Sequence, residues 1–359
     1  MEGQYYMQPR YGDRSWPLYI YTAACLYFLI FPPSSPPRQP LAHTTIRPQA
    51  LPSLLSLNAS ALLAAAHFAA PFASSPGFSP RESLTHALGL RHFPPEALLP
   101  CLAAHGPLAV VGDSNARNLA SHLLESLGRA RVPVVGVPWD EQRVDEAFSG
   151  PPATQTSIHF RFARNAWPLL ARATEDAVIG LGARVLVCHS AFWDMNYDTG
   201  VSDTDWLQAW QRKVARYLVW VRETLLPAAA AADASRGGPP PPPLRLFFRD
   251  ANPTAWDMMD EGRKRFMTTG RVHAMNAFLH AALAAEAAAP GGAAWTLLPT
   301  APLMPLHQLR EFVGDDGYHA SEEVNGVLAQ LLLNDLCAPR ITLETLRGLA
   351  EGELSPWAG

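Results

Sequence analysis

The strongest constraint on the fold of this chain is an alternation of short apolar runs with helix-like stretches. Six runs rich in β-branched or aromatic residues are typical of strands: 108–114, 132–137, 157–162, 183–190, 244–250 and 294–300. Helical patterns lie at 204–226, 256–286 and 319–337. Strands that alternate with helices predict an α/β domain whose parallel sheet is covered on both faces.

Composition agrees with one large globular domain and argues against a nucleic-acid partner. Hydrophobic residues make up 48% and charged residues 17% of the 359 positions, which is enough apolar material for a substantial core. The net charge is −4 and no basic stripe is present, so we expect no binding to nucleic acid. Segment 227–243 has no apolar periodicity beyond alanine and is expected to be a low-complexity surface insertion.

The amino-terminal part of the chain differs in character from the rest. An uncharged stretch from Leu18 to Phe31 is short for a spanning helix of about 20 residues, but it fits a signal anchor or a signal peptide. No cleavage site of small residues is obvious, so we favour an anchor in the Golgi membrane, with secretion after cleavage as the alternative. The expected divisions are a cytosolic tail, the anchor, a stem rich in Pro, Ser and Ala, and a lumenal folded domain: 1–17, 18–33, 34–84 and 85–359.

The cysteines allow one disulfide, which the sequence does not decide, and they indicate no metal site. Cys25 lies in the apolar stretch and Cys188 in an expected core strand, so only Cys101 and Cys337 are free to pair; the sequence does not establish that they do. No C-x-x-C motif or His/Cys cluster is present, so we expect no bound metal. A glycosylation sequon at Asn58 is consistent with a lumenal location.

Polar groups follow the expected strands where functional groups of an open parallel sheet gather, beyond the carboxyl ends of the strands. They stand in four groups: Gly112-Asp113-Ser114, His189-Ser190 with Trp193-Asp194, Arg249-Asp250, and Asp316 with His319 after the last strand. The Arg249-Asp250 group is expected to be a structural pair. No motif partner is evident for three other histidines, which we expect to be surface or core residues: His159, His273 and His280.

Together, these groups are suited to acyl transfer. A serine hydroxyl is a poor nucleophile unless a base takes its proton, and that base needs a partner that fixes its tautomer. The spacing of Asp316 and His319 can place the acid beside a ring that points towards Ser114. At the start of a helix, Ser114 would also offer its backbone N–H to an oxyanion. The simpler interpretation is a strand that ends at a turn, with Asp113 or Ser114 capping the next helix.

Four motifs resemble the SGNH (GDSL-like) hydrolase superfamily. They are VVGDSNAR, HSAFWDM, LFFRDANP and DDGYHAS, and the resemblance spans roughly residues 105–335. It is nearest to the PC-esterase branch, which is related to trichome birefringence-like proteins and to the sialate O-acetyltransferase catalytic domain. The resemblance implies a three-layer α/β/α sandwich with a central parallel sheet of flavodoxin-like order.

The resemblance also implies roles for particular residues. Ser114 would be the nucleophile, His319 the general base and Asp316 its orienting acid. His189 stands where the superfamily has an asparagine that donates to the oxyanion, so the expected oxyanion hole is the Ser114 N–H and the His189 ring. The second-block glycine stays open among Gly136, Gly150 and Gly180. Four further residues are expected near the substrate, with packing, capping or ion pairing as the alternative: Asp113, Arg117, Trp193 and Asp194.

Members of this branch add or remove acyl groups on glycans, so the resemblance implies a membrane-anchored, lumenal serine esterase or O-acyltransferase that handles acetyl groups. The expected partners are a carbohydrate or acylated glycan and, through residues 18–31, a membrane. No bound cofactor is expected, and a transferase would need an acyl donor from elsewhere. The alternatives are a glycan-binding protein that has lost catalysis and a secreted lipase-like hydrolase.

Overall fold

A computed structural model describes residues 85, 88–132, 138, 141–150, 154–197, 203–236, 240–304 and 309–338. The expected tail, anchor and stem lie outside these residues, as do Gly136 and the strand expected after Val132. Within the described ranges, no helix is both long enough and apolar enough to cross a bilayer.

The strands form one six-stranded sheet in the order β2-β3-β1-β4-β5-β6. Their bounds are β1 Leu108–Gly112, β2 Arg143–Gly150, β3 Thr154–Phe162, β4 Val185–Cys188, β5 Arg245–Arg249 and β6 Trp295–Leu298. The strands β3, β1, β4, β5 and β6 run parallel, and β2 is an antiparallel edge strand that pairs with β3. The parallel part has the flavodoxin-like order 2-1-3-4-5. The predicted parallel α/β architecture is therefore confirmed.

Helices cover both faces of this sheet. Their bounds are α1 Pro95–His105, α2 Ser114–Ser126, α3 Leu169–Glu175, α4 Phe192–Tyr197, α5 Asp203–Trp220, α6 Leu226–Arg236, α7 Glu261–Lys264, α8 Thr269–Ala288, α9 Leu309–Phe312 and α10 Glu322–Cys337. Alternate residues of β1 enter different cores, since Val110 packs in the core with α1, α2 and α10, while Val111 packs in the core with α3, α5 and α8. The three-layer sandwich follows from this alternation.

Three segments differ from the sequence prediction. Strand β2 was missed because its run of Arg, Asp and Glu gives an edge strand little apolar signal. The expected surface insertion 227–243 is helical in its first part, since α6 extends to Arg236, buries Ala229 and pairs Asp233 with Arg184. Alanine's high helix propensity explains why a segment without periodicity is a helix.

The third difference is that the helix expected at 256–286 is divided. A short turn at Trp256–Met258 and the helix α7 precede α8. Two side chains begin the new helices, because Asp260 accepts the N–H of Arg263 and Thr268 accepts the N–H of Arg271.

The disulfide that the sequence left open is present between Cys101 in α1 and Cys337 at the end of α10, with a Cα–Cα distance of 5.7 Å. Cys188 is a free, fully buried thiol whose sulfur lies 3.0 Å from the Tyr217 hydroxyl oxygen. Burial raises the pKa of Cys188 to about 12, so this thiol is protonated at neutral pH.

Candidate active site

The turn from β1 into α2 presents Ser114 at the carboxyl edge of the sheet. Asp113 is the N-cap of α2, and its carboxylate accepts the N–H of Asn115 at 2.9 Å. Gly112 has a φ of +152°, and a Cβ there would collide with the backbone carbonyl oxygen of His189. A glycine is needed at this position because β1 and the chain after β4 approach each other closely.

A tight loop between α9 and α10 carries the other two residues of the predicted triad. A bridge between Val313 and Ala320 closes this loop. Its tip is tied to the segment after β5, since the Ala255 N–H donates to Gly317 O at 2.7 Å and the Asn252 side chain donates to Tyr318 O at 2.6 Å. Two hydrogen bonds from this one segment therefore hold the loop immediately before His319.

The structure brings Ser114, His319 and Asp316 into one hydrogen-bonded chain. The Ser114 Oγ lies 2.5 Å from His319 Nε2, and His319 Nδ1 lies 2.5 Å from Asp316 Oδ2. The other oxygen, Asp316 Oδ1, accepts the backbone N–H of His319 at 3.0 Å and of Tyr318 at 3.2 Å. A carboxylate at Nδ1 keeps the proton on that nitrogen and leaves the lone pair of Nε2 directed at the serine hydroxyl.

The electrostatics of Asp316 agree with this arrangement. Burial favours a raised pKa for this carboxyl, but the hydrogen bond and charge of His319 and the two backbone N–H groups lower the pKa to about 2. Asp316 is therefore ionised throughout the neutral range. Such a chain can take the proton of Ser114 while its oxygen attacks an electrophile.

His189, the residue expected to donate to an oxyanion, is buried directly after β4. Its ring is 1% exposed, with Nδ1 at 3.2 Å from Arg249 O and Nε2 at 3.4 Å from Asp113 Oδ1. Burial lowers the pKa of His189, although Asp113 acts in the opposite direction. Both nitrogens face buried oxygens, and this placement argues against the expected donation to a substrate. The other expected donor, the backbone N–H of Ser114, lies at the first position of α2, which is suited to binding an oxyanion.

Of the three candidates for the second-block glycine, Gly136 lies outside the described residues, and the other two lie away from the site. Gly150 ends the antiparallel strand β2 opposite Thr154, the first residue of β3, so it lies at the amino edge of the parallel strands. Gly180 precedes β4 and is also on that side. The segment that does reach the site follows β3, where the Ala163 N–H donates to Gly112 O at 2.8 Å.

Two of the residues expected near the substrate are buried structural groups. Asp113 is inaccessible and caps α2. Asp194 is 2% exposed and accepts hydrogen bonds from the Ser190 hydroxyl, the Ala166 N–H and the Lys213 ammonium group. Burial raises the pKa of Asp194, and Lys213 opposes that effect. These contacts make Asp194 a brace for the turn after β4, which corrects the expectation that it lines the cleft.

Trp193 and Arg117 both have neighbours near the carboxyl end of β3, since Gln142, the partner of Arg117, accepts the N–H of Phe162. Trp193 is partly exposed and packs edge-on against Phe162, the residue that pairs with Gly112 across the sheet. Arg117 is 7% exposed and donates to Gln142 Oε1 at 3.1 Å. Burial lowers the pKa of Arg117, and Asp113 and Tyr318 act in the opposite direction. Both residues stay near the site.

A second Ser–His–Asp chain lies outside this site and includes His159, for which no motif partner was evident in the sequence. The Ser157 hydroxyl lies 2.7 Å from His159 Nε2, and His159 Nδ1 lies 2.7 Å from Asp145 Oδ1. Ser157 and His159 are both on β3, and Asp145 is opposite on β2. Because Ser157 is within a paired strand rather than at a helix start, this chain lacks the N-terminal helical N–H groups that serve Ser114.

His280 and Arg249 also have partners that the sequence did not indicate. His280 Nε2 lies 3.4 Å from Asp250 Oδ2. The Arg249 side chain contacts Asn115 O rather than forming the expected pair with its neighbour. Among the described residues, no group of three or more His, Cys, Asp and Glu side chains could hold a metal ion.

Among solved structures, the chain is similar to a carbohydrate esterase family 3 protein from Talaromyces cellulolyticus, with 12% identity and a TM-score of 0.37 over 67% of this chain and 98% of that chain. A second crystal structure is 14% identical, with a TM-score of 0.34 over 65% of this chain and 97% of its own. No protein-family model and no curated protein matches the sequence. The fold and the site therefore rest on the chain's own strand order and contacts.

Proposed function

We propose that this protein is a serine esterase or O-acyltransferase of the SGNH type that acts on acylated glycans. The observation that carries the proposal is the chain from Ser114 Oγ through the His319 ring to Asp316, with 2.5 Å at each contact. These hydrogen bonds lie at the carboxyl edge of a parallel sheet. Ser114 is also the first residue of α2, so one residue supplies both the nucleophilic hydroxyl and a backbone N–H for the oxyanion.

The reaction begins when Ser114 Oγ attacks the carbonyl carbon of the acyl group and His319 Nε2 accepts the hydroxyl proton. Asp316 stabilises the imidazolium ring that forms, and the Ser114 N–H faces the negative oxygen. His319 then gives its proton to the leaving sugar oxygen as the ester bond breaks. Water or a second sugar hydroxyl attacks the acyl-serine with His319 again as base, which regenerates the Ser114 hydroxyl.

A glycan substrate is supported by the motif resemblance and by aromatic side chains beside the reacting groups. The Tyr318 ring lies 4.3 Å from the His319 ring, and Trp193 adjoins the strand end next to Gly112. We propose acetyl as the acyl group. Transfer rather than hydrolysis would require that the site exclude water and orient the acceptor hydroxyl, with an acyl donor supplied from elsewhere.

The proposal includes a secretory location with residues 18–31 as a membrane anchor. It is supported by the apolar stretch, by the sequon at Asn58 and by the Cys101–Cys337 disulfide, since disulfides persist in oxidising compartments. A Golgi membrane protein with a lumenal catalytic domain accounts for all three features.

The first prediction concerns the nucleophile. We expect a fluorophosphonate probe to label the full-length protein at Ser114, because His319 removes the hydroxyl proton as the bond to phosphorus forms. Ser114→Ala should abolish the adduct, and His319→Ala should slow labelling by at least about 10³-fold. Peptide mass spectrometry locates the adduct, and thermal unfolding establishes that each variant is folded.

Ser157→Ala and His159→Ala are matched controls, because they remove the same residue types from the other Ser–His–Asp chain. We expect labelling of Ser114 in both, and no adduct on Ser157 in any variant. Absence of an adduct on the folded wild-type protein would contradict the esterase proposal and favour the glycan-binding alternative. Release of acetate from acetylated oligosaccharides, measured on the same preparations, then tests the substrate class.

A further inference from the structure

Behind the site, a buried arginine contacts the residue that follows the proposed nucleophile. Arg249 is at the carboxyl end of β5 and is 1% exposed. Its Nη1 donates to Asn115 O at 2.6 Å and to Asn325 Oδ1 at 3.1 Å, and its Nε donates to Thr300 Oγ1 at 3.2 Å. The guanidinium group therefore joins the first turn of α2, the first turn of α10 and the segment after β6.

Asn325 continues this connection to the residue that follows the proposed base. It is 1% exposed, and its Nδ2 donates to Ala320 O at 2.8 Å and to Ser321 O at 2.9 Å. Ala320 is next to His319 in sequence, just as Asn115 is next to Ser114. One amide side chain thus accepts from Arg249 and donates to the His319 loop.

We propose that Arg249 and Asn325 are positioning residues that set the contact between Ser114 Oγ and His319 Nε2. This inference rests on the proposed function. The two reacting groups are 205 residues apart in sequence and belong to different elements, so their separation depends on what joins those elements. Hydrogen bonds weaken over a few tenths of an ångström, and a misplacement of about 1 Å at a reacting centre can cost about 100-fold in rate.

The chemistry of the two side chains suits this role. A guanidinium group is planar and offers several donors at fixed angles, so it holds two carbonyl-type oxygens in a defined relation that a lysine cannot reproduce. Burial lowers the pKa of Arg249 to about 10, against the opposing charges of Asp113 and Asp250, so the group stays charged at neutral pH. It is fully buried, so bulk water does not replace these contacts when a partner is removed.

The chain supplies a matched control in the same helix. Asn334 is also in α10, is 0% exposed, and donates through Nδ2 to Gln330 O at 2.8 Å and to Arg91 O at 2.9 Å. Replacing either asparagine by leucine removes a buried amide that donates to two backbone carbonyls. Only Asn325 has a connection to Arg249 and to the His319 loop.

The test compares Asn325→Leu with Asn334→Leu in the full-length protein, by thermal unfolding, by the rate of fluorophosphonate labelling at Ser114, and by kcat and KM on an aryl acetate. We expect Asn325→Leu to lower the labelling rate and kcat by about 10- to 100-fold while KM stays within about 3-fold. Asn334→Leu should lower the melting temperature by a comparable amount and leave kcat within about 2-fold. Arg249→Met should resemble Asn325→Leu, and Arg249→Lys should recover part of the lost rate.

Equal labelling rates in folded wild-type and Asn325→Leu proteins would overturn the positioning role, as would equal losses of kcat in the Asn325 and Asn334 variants. If Asn325→Leu does not fold, Asn325→Asp serves in its place, because it keeps an acceptor for Arg249 and loses the donor to Ala320 and Ser321. The same fall in kcat is expected there, and a wild-type rate would overturn the inference. Failure of the wild-type protein to react at Ser114 is a different result, which contradicts the proposed function itself.

Discussion

At the scale of single residues, the reactivity of Ser114 depends on which nitrogen of His319 carries the proton. Asp316 Oδ2 faces Nδ1, so Nε2 keeps a lone pair for the serine hydroxyl. Asp316 is itself held by two backbone N–H groups of its own loop, which fix the direction of the carboxylate. A short loop of the chain therefore contains both the base and the group that orients it.

Asp316→Asn should lower kcat by about 10³- to 10⁴-fold, because an amide can donate to Nδ1 and then stabilises the tautomer with its proton on Nε2. Steady-state kinetics on an aryl acetate measure the loss. A decrease smaller than about tenfold would argue against Asp316 as the orienting acid.

The pH dependence of folding stability provides an independent check on this substitution. The pKa of Asp316 is lowered from 3.8 to about 2, so its ionised form stabilises the folded chain above pH 3.8. That stabilisation is lost as the pH falls towards 2. In unfolding titrations, wild type should therefore lose stability relative to Asp316→Asn across this window, while the difference between them stays constant near neutrality.

At the scale of elements, the turn from β1 into α2 has little room. A Cβ at Gly112 would collide with the His189 carbonyl and lie 2.9 Å from the Ala116 Cβ, and both neighbours are buried. The close approach of β1 and the segment after β4 is what places Ser114 at the sheet edge. Glycine at this turn is therefore a requirement of packing and of backbone angle together.

Gly112→Ala should destabilise the protein by about 1–3 kcal/mol through overpacking and should also abolish labelling of Ser114, since relief of the collision moves the start of α2. Gly128→Ala is the matched control at the other end of α2, where φ is +70° and a Cβ meets no atom within 4 Å. That variant should cost about 1 kcal/mol from backbone strain alone and retain labelling. Denaturant unfolding and probe labelling measure the two effects, and normal labelling of Gly112→Ala would contradict the expectation.

At the scale of the whole molecule, α10 connects the proposed site to the distant Cys101–Cys337 disulfide. The helix begins three residues after His319 and ends at Cys337, which is bonded to Cys101. Its 16 residues span about 24 Å, so the disulfide lies far from the reacting groups. The disulfide closes a long loop, because the two cysteines are 236 residues apart in sequence.

Replacing both cysteines by serine should lower the free energy of unfolding by about 3–5 kcal/mol, because the bond restricts the unfolded chain over a long loop. Labelling of Ser114 at 25 °C should stay near the wild-type rate, since the far end of α10 is packed in the core with α1 and α2. Denaturant unfolding with and without reductant measures the first effect, and the reduced wild-type protein should match the double variant. A large loss of labelling in a folded double variant would contradict the expectation that the disulfide end of α10 does not affect the reactivity of Ser114.

The sequence alone was sufficient for the features that depend on neighbouring residues. The apolar run of β1, the Gly112-Asp113-Ser114 turn, the start of α2 and the spacing of Asp316 and His319 are all local patterns. Local propensity, burial and capping act over a few residues, so such patterns can be recognised in the sequence without knowledge of the fold. Alternation of strands and helices was likewise enough to predict a parallel sheet covered on both faces.

Tertiary structure decided the features that depend on residues far apart in sequence. The buried direction of the His189 ring is set by Arg249 and Asp113, and the hairpin strand β2 is defined by pairing rather than by its own apolar pattern. The contacts of Arg249 with Asn115 and Asn325 span 134 and 76 residues. Such contacts exist only after the chain has packed, because each partner's local sequence is compatible with many other neighbours.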